Sequence, residues 1–377
     1  MHHHRVDLVF GTRPEAIKLA PVAAALHAEG LAVRLVETGQ HADLPRAGVG
    51  FGALDRRSLG CVTGDDPFAY ARACAATYAQ TCAARPAMIL VQGDTASAYG
   101  GALAAGWLGV PLAHVEAGLR SHDRANPWPE EDFRRAIDRM AALHFAPTEL
   151  AAANLADEGH ARSVHVTGNS GVDALKAMLA TLPPPQRRED ATRRLLVTCH
   201  RRENWGRPLG DLAAAIGTLA ARHRAIRIDV ALHPNPSIAQ AWAAALGGTA
   251  RVRLLEAMSH RDMLLAMRDS DLILSDSGGM QEEAPYLGTP LFILRRRTER
   301  PEGIDTGQLK LIGIEREAIV REVTRFLDNA DATAAMTSAA EPYGDGRAAP
   351  RIAAIIARRL RAATSATPPR QAPPGPS

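Results

Sequence analysis

Cysteine is scarce in this chain and never paired in sequence. The four cysteines, Cys61, Cys74, Cys82 and Cys199, form no C-x-x-C motif, so free thiols in a reducing compartment are expected. No apolar run reaches the length needed to cross a bilayer, and the N-terminus has no signal-type apolar segment. A cytoplasmic protein with no membrane partner is therefore expected. Charge of either sign is nearly balanced: 44 Lys and Arg against 41 Asp and Glu leave a formal net charge of +3. That is too little to argue for nucleic acid, and the arginines are scattered rather than striped. A Walker loop, a G-x-G-x-x-G after the first strand and a metal-ligand cluster are all missing, so neither a cofactor nor a metal is expected. His114, His122, His233 and His260 stand isolated and read as structural or exposed residues. The three histidines at positions 2–4 do not make a metal site.

The chain runs to 377 residues, 46% hydrophobic and 23% charged, which suits a soluble protein of two domains. Short β-rich runs alternate with longer helical ones. Strands are expected at 5–10, 32–37, 87–93, 110–115, 143–146 and 163–167, and helices at 14–28, 67–84, 95–107, 129–141 and 148–158. The proline-rich, charged stretch 181–190 reads as a linker. The rhythm then restarts, with strands near 194–199, 226–232, 251–256, 271–275 and 290–294. Helices are expected between them near 208–222, 236–246, 260–268 and 279–287, with one more at 316–328. The expected fold is α/β: two doubly wound, Rossmann-like domains facing a central cleft. The first would cover 1–180 and the second 191–355, with a helix end at 356–363 and a disordered tail at 364–377.

In such sheets ligands sit outside the carboxyl ends of the strands, and the motifs fall there. "GTRPEAIK" (11–18) has the T-x-x-E spacing of a capping box, Thr12 to Glu15, with Pro14 entering the helix. Capping does not explain Arg13 and Lys18, since cations oppose a helix N-terminus unless an anion joins them. Asp94 closes the next strand in "QGDT", where it is either an N-cap or a working acid. Glu116 ends a strand in "HVEAGLR", a costly place for a carboxylate unless it is paired or used. Glu130 and Glu131 open a helix in "PWPEED", and one of them is an ordinary dipole partner. Three acids converging on one cleft suggest acid–base chemistry. In the second half, "CHRREN" (199–204) places His200 and one arginine at a strand end, suited to phosphate. "SDSGGMQEEAP" (275–285) puts Ser277, Gly278 and Gly279 at a helix start, where bare amides bind phosphate. Glu283 follows about 6 Å along that helix, the step from a diphosphate to a ribose. "RRRTERPE" (295–302) adds Arg300 as a further anion contact.

Taken in order, "GTRPEAIKLAPV", "TGQH", "QGDT", "HVEAGLR", "PWPEE", "VTGN", "HRREN", "SDSGGMQEEAP" and "TERPE" closely resemble the non-hydrolysing UDP-N-acetylglucosamine 2-epimerases, over about residues 5–360. That family has the two-domain GT-B fold of nucleotide-sugar glycosyltransferases. The resemblance implies a homodimer acting on a UDP-sugar, reversibly converting UDP-GlcNAc to UDP-ManNAc for cell-envelope polysaccharides. It assigns catalysis to Asp94, Glu116 and Glu130, choosing Glu130 over Glu131, with His200 joining them. It gives UDP or sugar contacts to Arg13, Lys18, Ser277, Gly278, Gly279, Glu283 and Arg300. Gln40, His41 and His233 form a candidate allosteric set, since bacterial members hold a second, activating UDP-sugar in this neighbourhood. Here "ADLPRAGVGFGALDRR" replaces the helix usual after Gln40-His41, Met258 and Met263 stand where Gln and Phe are frequent, and Arg296 replaces an Asp.

The C2–H of a 2-acetamido sugar is not acidic until the C1–O bond to UDP weakens. The implied path is therefore anti elimination to 2-acetamidoglucal and UDP, then protonation on the opposite face and re-addition. A hydrolysing 2-epimerase, a 2-epimerase of a 3-amino or uronic UDP-sugar, and a GT-B glycosyltransferase are the alternative readings. The glycosyltransferase has no need of three acids in the first domain.

Overall fold

The computed structural model describes residues 4–41, 51–125, 127–184, 191–233 and 235–365. The chain divides into two compact units, Met1–Ala174 with Gly346–Ser377, and Leu175–Asp345. The expected alternation of strand and helix is present in both.

Among the described residues, the first unit holds strands β1 (Arg5–Phe10), β2 (Ala32–Glu37), β3 (Asp55–Ser58), β4 (Met88–Gln92), β5 (Leu112–Val115), β6 (Leu143–Ala146) and β7 (Val164–Val166). They pair in parallel in the order β3-β2-β1-β4-β5-β6-β7. Its helices are α1 (Arg13–Ala28), α2 (Pro67–Thr81), α3 (Ala96–Leu108), α4 (Glu130–Met140) and α5 (Glu149–Asp157). The next helix, α6 (Ser170–Leu179), contains the division between the units. The central strands β1 and β4 are buried on both faces, as parallel strands under helices must be; Leu8 and Leu90 are fully enclosed.

The second unit holds β8 (Arg193–Thr198), β9 (Ile226–Ala231), β10 (Val252–Leu255), β11 (Leu272–Ser275), β12 (Leu291–Ile293) and β13 (Leu309–Leu311). They form a parallel sheet ordered β10-β9-β8-β11-β12-β13. Its helices are α7 (Arg207–Arg222), α8 (Pro236–Leu246), α9 (His260–Arg268), α10 (Gly278–Leu287), α11 (Glu302–Asp305), α12 (Arg316–Asp328) and α13 (Ala330–Met336). The last helix, α14 (Ala348–Ser365), returns to the first unit.

Two boundaries differ from the sequence reading. The division falls at Ala174–Leu175 rather than in the stretch 181–190, of which 185–190 lie outside the described residues. The end of the expected second domain, 346–355, together with the helix end at 356–363, belongs to the first unit. The physical reason is the apolar stripe of α14. Ile352, Ile356 and Leu360 share one core with Leu19, Val22 and Leu26 of α1, and burying each such side chain contributes roughly 1.5–3 kcal/mol. Of the expected disordered tail, residues 366–377 lie outside the described residues.

Candidate active site

Each sheet has one place where strand order reverses direction. In the first it lies between β1 and β4, in the second between β8 and β11. Loops leaving such a point diverge and leave room for a ligand beyond the carboxyl ends. The motifs "GTRPE" and "QGDT" follow β1 and β4; "CHRREN" and "SDSGG" follow β8 and β11.

In the first unit the capping box is present in full. Glu15 Oε2 accepts from the Gly11 N–H at 3.1 Å, the Thr12 N–H at 2.8 Å and the Thr12 hydroxyl at 2.7 Å. Its other oxygen accepts from the Thr95 hydroxyl at 2.7 Å. One carboxyl thus ties the turn after β1 to the turn after β4. Glu15 is 1% exposed, and burial pushes its carboxyl up to about 7, against the hydrogen bonds that pull it down. Arg13, at the first position of α1, has no ion-pair partner among the described residues.

Glu116 follows the last residue of β5 in the left-handed region, at φ 67°. A non-glycine residue there is uncommon and is held by its surroundings. Here Lys18 of α1 pairs with the Glu116 carboxylate, and Gln92 Nε2 donates to it at 2.8 Å. Asp94 is paired with Arg134 of α4. Glu130 and Glu131 begin that helix, and their settings differ. Glu131 is fully buried and accepts from the Ser121 N–H at 3.0 Å, Arg134 at 3.1 Å and Arg135 at 3.3 Å. Those contacts give Glu131 a structural task, while Glu130 is half-buried. Gln40 accepts from the Ser97 amide at 3.2 Å and hydroxyl at 2.6 Å, and the His41 N–H donates to Gly11 O at 3.0 Å. Residues 42–50 of the replaced segment lie outside the described residues.

In the second unit two loops meet on one carboxylate. Asp276 is fully buried and accepts from the backbone N–H of His200 at 2.9 Å and of Arg201 at 3.0 Å, and from Asn204 Nδ2 at 2.8 Å. It fastens the loop after β8 to the loop after β11. The His200 ring stands 5.5 Å from that of His233. Burial lowers the His200 pKa against the pull of Asp276, with His233 adding a smaller push in the same direction as burial. His233 Nδ1 accepts from the Asn235 N–H at 3.0 Å. Ser277 caps α10, and Gly278 and Gly279 present amides that have no acceptor inside the helix. A Cβ on Gly278 would lie 3.0 Å from Arg300 Nη1, so glycine lets that guanidinium approach the helix start. Arg300 is itself buried and paired with Glu282 at 2.6 Å and with Glu299. Glu283 Oε1 lies 2.7 Å from His260 Nε2. His260, isolated in sequence, is therefore not isolated in space: α9 begins at the residue that meets the second turn of α10.

All four cysteines are free thiols, with Cys199 buried. Among the described residues no group of three or more His, Cys, Asp or Glu is placed to hold a metal, and no helix is long and apolar enough to cross a membrane.

The sequence profile of the UDP-N-acetylglucosamine 2-epimerases matches residues 24–357. The chain belongs to this family. Similar proteins include the putative UDP-N-acetylglucosamine 2-epimerase of Thermotoga maritima, 37% identical over 93% of this chain and 96% of that one. The UDP-N-acetylglucosamine 2-epimerase of Escherichia coli K12 is 35% identical over 92% and 97%. Among solved structures, that of a putative 2-epimerase from Listeria monocytogenes aligns with TM-score 0.87 and 36% identity, covering 98% of this chain and 99% of that one. The Neisseria meningitidis enzyme bound to UDP-GlcNAc aligns with TM-score 0.85 and 33% identity over 95% and 100%. A glycotransferase of kitacinnamycin, 12% identical with TM-score 0.62, shares the fold alone. The α/β class and the resemblance to the UDP-N-acetylglucosamine 2-epimerases are thus confirmed.

Within this epimerase-family framework, sequence reasoning missed Gln92, Arg134, His260 and Asp276 as site partners. Gln92 and Arg134 carried a usable signal. One is the last residue of a buried strand, and the other lies four residues along the helix from Glu130. The remainder carried none, because their partners are distant in sequence.

Proposed function

We propose that the chain interconverts UDP-N-acetylglucosamine and UDP-N-acetylmannosamine by inverting C2, without net hydrolysis. The observation that carries this reading is the set Asp94, Glu116 and Glu130 at the ends of β4 and β5 and the start of α4, the first two held by cationic side chains. Inversion at C2 requires a proton to leave one face of the ring and another to arrive on the opposite face. A single acid cannot serve both faces; a set of carboxylates in differing surroundings can.

In the first half-reaction a carboxylate takes the C2 proton, the C1–C2 double bond of 2-acetamidoglucal forms, and the C1–O bond electrons leave with UDP. In the second, a carboxylic acid protonates C2 on the other face and a β-phosphate oxygen of UDP re-adds at C1. The departing diphosphate carries developing negative charge. Arg13, His200, the Ser277 hydroxyl and the amides of Gly278 and Gly279 are the donors assigned to it; the Ser277 amide itself is taken by Ser275 Oγ at 3.0 Å. Arg300, beside Gly278, belongs to the same group of contacts. Lys18 holds Glu116 and is assigned a contact to the sugar. Glu283 accepts from the ribose hydroxyls, with His260 fixing one of its oxygens. No step calls for a metal or a redox cofactor.

Homodimeric assembly, a cytoplasmic location and supply of a cell-envelope polysaccharide precursor complete the reading. Gln40, His41 and His233 are assigned to a second UDP-sugar site. Relatives support the substrate: the solved Neisseria enzyme holds UDP-GlcNAc. The test is incubation with UDP-GlcNAc and, separately, UDP-ManNAc, followed by chromatography of the nucleotide sugars. Both directions should reach one common ratio. Free N-acetylmannosamine and UDP as the sole products would replace this reading with the hydrolysing one, and inertness toward both sugars would point to a modified substrate.

A further inference from the structure

Asp94 follows Gly93, which sits in the left-handed region at φ 69°. Glycine turns easily about such a bond, so the peptide leading into Asp94 needs outside anchors to keep one orientation. Among the described residues two anchors are present, and both come from β5. The Gly93 N–H donates to Val115 O at 3.0 Å. The Gly93 carbonyl lies 2.8 Å from His114 Nε2. A carbonyl has no hydrogen to give, so Nε2 is the donor.

The imidazole is held in turn from its other edge. His114 Nδ1 lies 2.6 Å from Asp138 Oδ1, and Asp138 Oδ2 accepts from Arg120 Nη2 at 2.7 Å. The same guanidinium binds Glu158 at 2.8 and 2.9 Å. His114 and Asp138 are completely buried. Burial works against a charged Asp138, yet His114 and Arg120 keep its carboxyl below the usual carboxylate range. A polar network this enclosed is rigid when every member is satisfied.

Connectivity gives the network its consequence. Glu116 lies two residues beyond His114 on the same segment. Asp138 belongs to α4, the helix that Glu130 begins and from which Arg134 pairs with Asp94. Filling the core would need only the volume of the His114 ring. The directed bond from Nε2 to the carbonyl before Asp94 is a further specification.

We propose that His114 is a positioning residue for Asp94: its Nε2–H fixes the Gly93 carbonyl, and Asp138 with Arg120 fixes the ring. The proposal rests on the reading of Asp94 as an acid–base group.

A double-mutant cycle on epimerisation kinetics separates the two. His114→Phe keeps a ring and removes the donor. It should lower kcat roughly 10- to 100-fold, the scale of a small misplacement of a reacting group, with KM within about twofold. His114→Gln, which offers an amide N–H, should recover at least about a third of the parent rate. In an Asp94→Asn background, His114→Phe should cost less than about threefold, because residues acting as one unit are not additive. A full, multiplicative loss in that background overturns the positioning role and leaves the reading of Asp94 standing. An Asp94→Asn protein with the parent rate overturns both. If His114→Phe does not fold, Asp138→Asn takes its place in the cycle: a kcat loss that vanishes beside Asp94→Asn supports the proposal, and one that persists overturns it.

Discussion

Replacing Glu15 by glutamine should change how stability depends on pH, and the size of the change follows from the burial of that one carboxyl. The glutamine oxygen can accept from the Gly11 and Thr12 amides as Glu15 Oε2 does. Its amide group can donate to the Thr95 hydroxyl where Oε1 accepts now. The variant therefore imitates a protonated Glu15. The parent carboxyl has a folded pKa of about 7 against an ordinary value of 4.5. A raised acid pKa means that the folded state binds the proton more tightly than the unfolded chain. Between the two values the folded state holds more protons, so stability falls as pH rises through this window and levels off above it. A gap of roughly two and a half pH units at about 1.4 kcal/mol each amounts to about 3.5 kcal/mol, of which about 3 kcal/mol falls between pH 4.5 and 8. At roughly 2–4 °C per kcal/mol for a unit of this size, the parent should lose about 6–12 °C in Tm relative to Glu15→Gln between pH 4.5 and 8. Thermal unfolding of both proteins across that range, followed by circular dichroism, measures the difference directly. A Tm difference that stays constant with pH would show that Glu15 is ionised throughout, with its hydrogen bonds outweighing its burial, and would refute the reasoning.

Other residues yield shorter tests. Asp94→Asn, Glu116→Gln and Glu130→Gln should each lower kcat by at least about 100-fold, the low end for acid–base groups, with folding preserved; a near-parental Glu130→Gln beside an inactive Glu131→Gln would transfer the role to Glu131. Glu283→Gln should weaken UDP binding about 10- to 100-fold by calorimetry, since a hydrogen bond to a charged group contributes roughly 1.5–3 kcal/mol. It should also blunt discrimination against UDP lacking the ribose 2′-hydroxyl, and undiminished discrimination would remove Glu283 from the ribose site. Asp276→Asn turns an amide N–H toward buried donors and should cost about 1–3 kcal/mol, a Tm loss of several degrees with weaker UDP binding. An unchanged Tm would mean that the loops after β8 and β11 do not depend on that anchor.

Much of this was legible from periodicity and turn chemistry. Strands such as 5–10 and 32–37 appear with the bounds read from the sequence, because their apolar runs leave no other way to bury them. The capping box of Thr12 and Glu15 was visible because both partners lie within four residues. The strand β3 was not visible: "DRRS" has no apolar residue and stands at the edge of its sheet, so nothing in its composition calls for burial. The destination of α14 was hidden for another reason. Its apolar stripe could be read, but chain order does not say which unit would receive it. Of the site, the acids and the glycine turn were legible as strand-end and helix-start residues. Their holders were not. Asp276 lies 76 residues from His200, and Asp138 lies 24 from His114, so only the order of strands in each sheet brings these pairs together.

The central claim is that a proton leaves C2 and another enters from the opposite face while UDP is released and recaptured. The most direct measurement is proton NMR of UDP-GlcNAc incubated with the protein in D₂O. The account predicts that the C2 proton signal is lost and that UDP-ManNAc accumulates with deuterium at C2, the sugar remaining linked to UDP. UDP-ManNAc that retains its C2 proton, or free N-acetylmannosamine and UDP with no UDP-ManNAc at early times, would contradict it.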